Sequence, residues 1–288
     1  MNLRFLVLLR QNKGSTIPIM MSTMSNQTLV ALSRDPIPEK MIFELKDHGL
    51  KFGASLHNAG SEINNGDYFS QRWDCSIHLD TSAREELRSL SSRFNVDLCF
   101  LKSGFKPQDI RVLAMDMDST LINIECIDEI ADFTGKKSAV AQITEATMRG
   151  EIKDFKESLR RRVALLEGVH ADALEAVYRE RLRPNPGAAE LLAGAHERGI
   201  YTLLVSGGFT FFTEKLRQQF GLKQTQANTL EIIDGKLTGK VLGDIVDGAA
   251  KAAHLDAACQ KLGCTKANAI TMRSEERRVG KECLRLCR

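Results

Sequence analysis

The sequence predicts a doubly wound α/β core with a helical cap, preceded by a small α+β domain. Three observations lead there. Short apolar runs of strand length end in polar, chemically active residue types, as in Val112-Leu113-Ala114-Met115-Asp116-Met117-Asp118-Ser119-Thr120 and Thr202-Leu203-Leu204-Val205-Ser206-Gly207-Gly208. Helix-periodic stretches alternate with these runs, which is the rhythm of a parallel sheet built from βαβ units. The chain has 288 residues, 43% hydrophobic and 27% charged, enough for two ordinary globular domains.

Residues 1–24 read as a leader or a mis-assigned start. Residues 3–9 are apolar but too short to span a membrane. Arg10, Gln11, Asn12, Lys13 and Gly14 follow without a small-residue cleavage site, so a secretory segment and a later start at Met20, Met21 or Met24 both stay open. Residues 25–105 form the α+β domain. Strands are expected at 28–32, 73–79 and 96–100, with helices starting at 38–45 and 82–87. Gly104-Phe105-Lys106-Pro107 is the linker.

Residues 106–272 form the core. The helical block 124–182 sits between its first strand and the rest of the sheet, so it reads as a cap. Pro184-Asn185-Pro186-Gly187 returns the chain, and Leu191, Leu192 and Ala195 mark a crossover helix. Asp234-Gly235 between apolar runs 230–233 and 237–241 predicts a hairpin. A helix is expected to begin near Lys251, in a run of good helix formers.

A net charge of +3 is too small for an electrostatic nucleic-acid surface. No apolar run reaches membrane-spanning length. The seven cysteines, Cys75, Cys99, Cys126, Cys259, Cys264, Cys283 and Cys287, show neither zinc spacing nor a disulfide framework, which fits a reducing cytoplasm.

The chemistry starts at Asp116 and Asp118. The strand period of two would put both acids on one face unless a turn breaks the register. One carboxylate can attack phosphorus while its neighbour gives and takes the proton. Acids so close repel, so a divalent cation is expected between or beside them. The competing reading is a strand end running into a helix capped by Ser119 or Thr120. Ser206, with bare backbone N–H groups at Gly207 and Gly208, suits a phosphate cradle; the rival is an ordinary strand-to-turn junction. Lys251 near a helix start could neutralise phosphate charge, although most surface lysines are merely solvated.

In their order along the chain, these residues resemble the motifs of the haloacid dehalogenase superfamily of phosphatases, and within it the phosphoserine phosphatases. The resemblance runs from about 110 to 272. Asp116-Met117-Asp118-Ser119-Thr120 is similar to the first motif, Val205-Ser206-Gly207-Gly208-Phe209 to the second and Lys251 to the third. It implies that Asp116 is the nucleophile, Asp118 the acid and base, and that both hold Mg2+. It implies Glu125 on the substrate ammonium, Arg162 on its carboxylate, and Ser206, Gly207 and Lys251 on its phosphate. The implied reaction releases L-serine from phosphoserine in serine biosynthesis. The implied partners are this small molecule and a second copy in a homodimer, with no nucleic acid and no membrane. The N-terminal domain stands where related enzymes carry an ACT-like regulatory domain, though it shows no amino-acid-binding signature. For Glu125 and Arg162, residue type alone favours solvated helix positions; spacing favours function. Two alternatives stay open: the same chemistry on another small phosphomonoester, and an inactive fragment or ligand binder.

One motif departs. After the apolar run 269–272 the resemblance implies Gly-Asp-Gly-x-x-Asp, with a metal-binding aspartate. The chain reads Arg273-Ser274-Glu275-Glu276-Arg277-Arg278-Val279-Gly280-Lys281-Glu282-Cys283 instead, with Ser274 at the aspartate's place. This run resembles a translated sequencing adapter, and residues 273–288 are expected not to be natural sequence. The chain as written is therefore expected to be inactive and poorly stable unless Glu275 or Glu276 replaces the missing ligand.

Overall fold

The computed structural model describes residues 25–51, 55–57, 62–64, 68–77, 81–102 and 105–273. The leader, Gly104 of the linker, His78 and Leu79, and tail residues 274–288 lie outside the described residues. The chain divides into two compact units between Asp109 and Ile110.

The first unit runs β1 (Ser25–Ser33), α1 (Glu39–Lys51), β2 (Ser55–His57), β3 (Ile63–Asn64), β4 (Phe69–Ile77), α2 (Thr81–Phe94), β5 (Asp97–Lys102). Its antiparallel sheet has the order β2-β4-β1-β5, with β3 added beside β4. Apart from that short addition, this is the βαββαβ order of ferredoxin-like folds. Alternate residues of the central strands, Leu29, Ala31, Trp73 and Cys75, are buried in one core with Met41 and Leu45 of α1 and Leu90 of α2. β4 begins four residues before the expected 73, because Phe69, Ser70, Gln71 and Arg72 pair with residues 30–33. Polar residues there obscured a strand whose pairing is set by its neighbour.

The second unit is the α/β core. Its strands are β6 (Val112–Met115), β7 (Tyr201–Phe209), β8 (Gln224–Ile233), β9 (Lys236–Leu242) and β10 (Ala269–Met272). They lie in the order β10-β6-β7-β8-β9, parallel except for the β8–β9 hairpin. All four residues of β6 are buried, which explains its unbroken apolar run. Leu113 and Met115 join a core with Leu192 of α7 (Ala188–Glu197) and Phe212 and Leu216 of α8 (Thr210–Phe220). Val112 and Ala114 join a second core with Ala258 and Cys259 of α9 (Gly248–Lys261). Both faces are thus covered, and the core is doubly wound. Phe212 is wholly buried; truncating such a ring to alanine costs about 3–5 kcal/mol.

The cap contains α3 (Cys126–Phe133), α4 (Lys137–Met148), α5 (Phe155–Ala164) and α6 (Asp172–Glu180). Asp154 starts α5 by accepting from Lys156 N at 2.9 Å. Ala173, Leu174 and Val177 give α6 its buried stripe. Buried Asn185 closes the return to the core, donating to Thr120 O at 2.8 Å and Ile122 O at 3.0 Å. The β8–β9 loop has two residues, Asp234 at φ 47° and Gly235 at φ 73°. Positive φ at both positions is the type I′ turn that Asp-Gly favours. The cap loop at 168–171 runs along the outer side of β9. Gly168 N donates to Leu237 O, Leu237 N to Val169 O, and Ala171 N to Gly235 O, each at 2.8 Å.

Candidate active site

β6 stops at Met115, so Asp116 and Asp118 do not share a strand face as the period of two would have it. Asp116 is extended (φ −79°, ψ 160°) and caps a tight turn, Met117–Leu121, which Ile122 N closes onto Met117 O at 3.1 Å. Ser119 stands at φ 51°, the left-handed region that a non-glycine residue seldom enters. The cap is Asp116 itself, accepting from Met117 N at 2.9 Å, and not Ser119 or Thr120. The turn displaces Asp118 to where Cys126 N, at the start of α3, donates to its Oδ1 at 3.1 Å. Both acids therefore sit just past the carboxyl end of a central parallel strand, where open α/β sheets place their sites.

Lys251 reaches the same place from a residue 135 positions away. It lies in the first turn of α9, which Asp247 caps by accepting from Ala250 N at 2.8 Å. Its Nζ donates to Asp116 Oδ2 at 2.5 Å. On β7, Ser206 is fully buried, and its Oγ accepts from Gly208 N at 2.8 Å. Gly208 packs against Asp118: a Cβ there would stand 2.7 Å from Asp118 Oδ2 and 2.7 Å from the Met117 side-chain terminus. A Cβ on Gly207 would stand 3.0 Å from the ring of Phe155 on the cap.

Glu125 and Arg162 come from the cap. Glu125 precedes α3 and makes no capping bond; its Oε1 accepts from Ser119 Oγ at 2.7 Å. Arg162 is 8% exposed, whereas Arg160 and Arg161 on the same helix are exposed. A solvated stripe would expose all three. Its Nε approaches Ser158 O at 3.4 Å.

Burial raises the Asp118 carboxyl to about 7, and the charges of Glu125 and Asp116 push the same way against the Cys126 N–H bond. Asp116 is held instead by an ammonium and a backbone donor. The two neighbouring acids thus sit in unlike settings, one against a lysine ammonium and one buried. Among the described residues no group of three or more His, Cys, Asp or Glu side chains gathers to hold an ion. Asp116 and Asp118 are hard oxygen donors, and Mg2+ needs only one or two carboxylates besides water and substrate phosphate. The donor set fits such an ion.

Sequence reading missed three contributors. Asn228 on β8 is buried and bridges Gly207 to Val246; its only signal was a polar residue of poor strand propensity inside a strand. Ser119 holds Glu125, a role that follows from an unusual backbone angle and has no local sequence signature. Lys156 Nζ lies 3.3 Å from Asp247 Oδ2, linking the cap to the start of α9.

A family model for haloacid dehalogenase-like hydrolases matches residues 113–269, more than half of the chain. The chain belongs to the haloacid dehalogenase-like hydrolases. Within that family it is similar to phosphoserine phosphatases. It is 54% identical over 171 residues to the phosphoserine phosphatase of Polaromonas sp. (strain JS666), spanning 58% of this chain and 72% of that one. The unliganded structure of a probable phosphoserine phosphatase from Vibrio cholerae is 32% identical, with a TM-score of 0.62, over 85% of this chain and 72% of that one. A phosphoserine phosphatase solved as an analogue of its phospho-aspartyl intermediate is 35% identical, with a TM-score of 0.52, over 56% and 77%.

Proposed function

We propose that this chain, with residues 273–288 replaced by the natural segment of its relatives, hydrolyses O-phospho-L-serine to L-serine and phosphate through an aspartyl phosphate on Asp116. The observation that carries the reading is the pair of acids in unlike settings: Asp116 ion-paired to Lys251, and Asp118 buried with its carboxyl raised to about 7. That division suits a nucleophile and a proton donor. The relative solved as a phospho-aspartyl analogue supports the covalent step.

In the first half-reaction an Asp116 oxygen bonds to phosphorus as the serine oxygen leaves with the Asp118 proton. In the second, Asp118 takes a proton from water as the water oxygen attacks phosphorus and Asp116 is released. Lys251, the Ser206 hydroxyl and the backbone at Gly207 bind the phosphate oxygens, where charge accumulates. Glu125 takes the ammonium, and Arg162 forks onto the carboxylate. A bound Mg2+, held by Asp116 and Asp118, would supply further neutralisation of the phosphate.

The reading extends to a cytoplasmic, homodimeric protein with no nucleic-acid or membrane partner. No helix among the described residues is long and apolar enough to cross a membrane. The ACT-like reading of the N-terminal unit is a proposal supported by its helix and strand order alone.

The test is acid-quench trapping of phosphoenzyme from labelled phosphoserine with Mg2+ present. It is run on the 288-residue chain and on a version whose residues 273–288 are replaced by the corresponding segment of the Polaromonas relative. Label on Asp116 in the second version is expected. Turnover without any label on Asp116 would overturn the covalent route.

A further inference from the structure

Asn228 on β8 is 1% exposed, and it uses both ends of its carboxamide. Nδ2 donates to Gly207 O at 2.7 Å, and Oδ1 accepts from Val246 N at 2.8 Å. The first partner lies in the candidate phosphate loop. The second lies one residue before Asp247, the cap of the helix that carries Lys251. Asn228 is paired in register with Phe209, so the strand itself brings it level with that loop.

A trans peptide points its C=O and the next N–H in opposite directions. Holding Gly207 O on one side therefore aims Gly208 N–H to the other, where it meets Ser206 Oγ at 2.8 Å. Glycine on both sides of this peptide removes the steric barrier that would otherwise keep its orientation. Left alone, a Gly-Gly unit has little to stop it turning over. Only a group that donates to one partner and accepts from the other meets both needs. A carboxylate can satisfy Val246 N but sets its charge against Gly207 O. A leucine of similar shape satisfies neither partner, and buried polar groups left unpaired are costly.

We propose that Asn228 is a positioning residue. Its carboxamide locks the Gly207–Gly208 peptide plane and registers that plane against the turn that starts α9. Through this one side chain, Ser206, Gly208 N–H and Lys251 keep a fixed spacing about Asp116. The consequence for phosphate rests on the phosphatase reading; the lock itself rests on geometry alone.

The experiment uses the full 288-residue chain, 15N-labelled, as wild type, Asn228→Asp and Asn228→Leu. In the wild type one Asn228 side-chain amide proton should exchange slowly and lie close in space to Gly207. In both variants the Gly208 and Val246 amide signals should move, and Gly208 N–H should exchange faster. Inorganic phosphate, titrated with Mg2+ present, should bind about tenfold more weakly, as expected for one lost hydrogen-bond contribution. L-Serine, read by the same signals, should bind unchanged, which a general loss of structure would not allow. A freely exchanging Asn228 amide in the wild type overturns the lock and needs no variant to fold. Unmoved Gly208 signals in Asn228→Leu overturn it as well. If phosphate is ignored both by the wild-type chain and by the version carrying the relative's C-terminal segment, while the variants still move Gly208, the lock stands and the phosphatase reading fails.

Discussion

The two ends of the candidate site are built differently. At the sheet edge, polar groups are placed by backbone: Asp116 by Met117 N, Asp118 by Cys126 N, Ser206 by Gly208 N and Lys251 by a capped helix. At the cap end, Glu125 and Arg162 are placed by helices whose links to the core include side-chain contacts such as Lys156 with Asp247. The lesson is a division of labour. On the proposed reading, the groups that do the chemistry are fixed by backbone bonds, and the groups that choose the substrate are carried by the cap.

The largest test of that contrast is Asp116→Asn. It should abolish turnover and phosphoenzyme in the chain carrying the relative's C-terminal segment, and normal turnover would remove Asp116 as nucleophile. Asp118→Asn should slow both half-reactions, because one proton shuttle serves both. It should also flatten the limb of the pH–rate profile that Asp118 governs; an unchanged profile would count against the role.

Asp118 also gives a stability prediction for metal-free protein. Its carboxyl lies at about 7 when folded, against an ordinary value of 3.8. Between these values the folded state binds more protons than the unfolded one. The stabilisation is complete below about 3.8 and is lost as pH rises through about 7. Urea melts of wild type across this window should show that decline, and Asp118→Asn should remove it.

At the cap end, Arg162→Ala and Glu125→Gln should each cost about 2–5 kcal/mol in transition-state binding of phosphoserine, the range for unpairing a buried charge. An aryl phosphate lacks the amino-acid end and should be affected little. Equal losses on both substrates would mean that the cap end supports the fold instead. The smallest effect belongs to Lys156→Ala, which removes a partly exposed ion pair worth about 0–1 kcal/mol. Its signature should be a small rise in KM with kcat unchanged. A large fall in kcat would erase the contrast between the two ends.

The sheet edge was the more legible end in the sequence. Val112 to Asp118 could be read because a strand buried on both faces is apolar throughout, so the acids at its end stand out. The Asp234-Gly235 turn was readable because backbone geometry dictates those residue types. The turn at Met117–Leu121 was not, because its closure depends on Ile122 and its shape on a left-handed Ser119. Arg162 looked like one of three arginines in a row; only packing shows it buried while its neighbours are exposed. The bond between Lys251 and Asp116 spans 135 residues and follows from the order of strands, which no local window contains.

The cap loop beside β9 has a consequence for the protein outside its chemistry. A sheet edge is a template onto which another chain can add a strand. Gly168, Val169 and Ala171 occupy the outward main-chain groups of Gly235 and Leu237, and the backbone of Ala164 closes on Gly239, where a Cβ would stand 3.2 Å away. Excising the cap would therefore do more than remove Glu125 and Arg162. It would bare a hydrogen-bonding margin with Ile232, Ile233 and Leu242 already exposed nearby, and the trimmed protein should self-associate through that margin. The cap that carries Glu125 and Arg162 thus also covers this edge of the sheet.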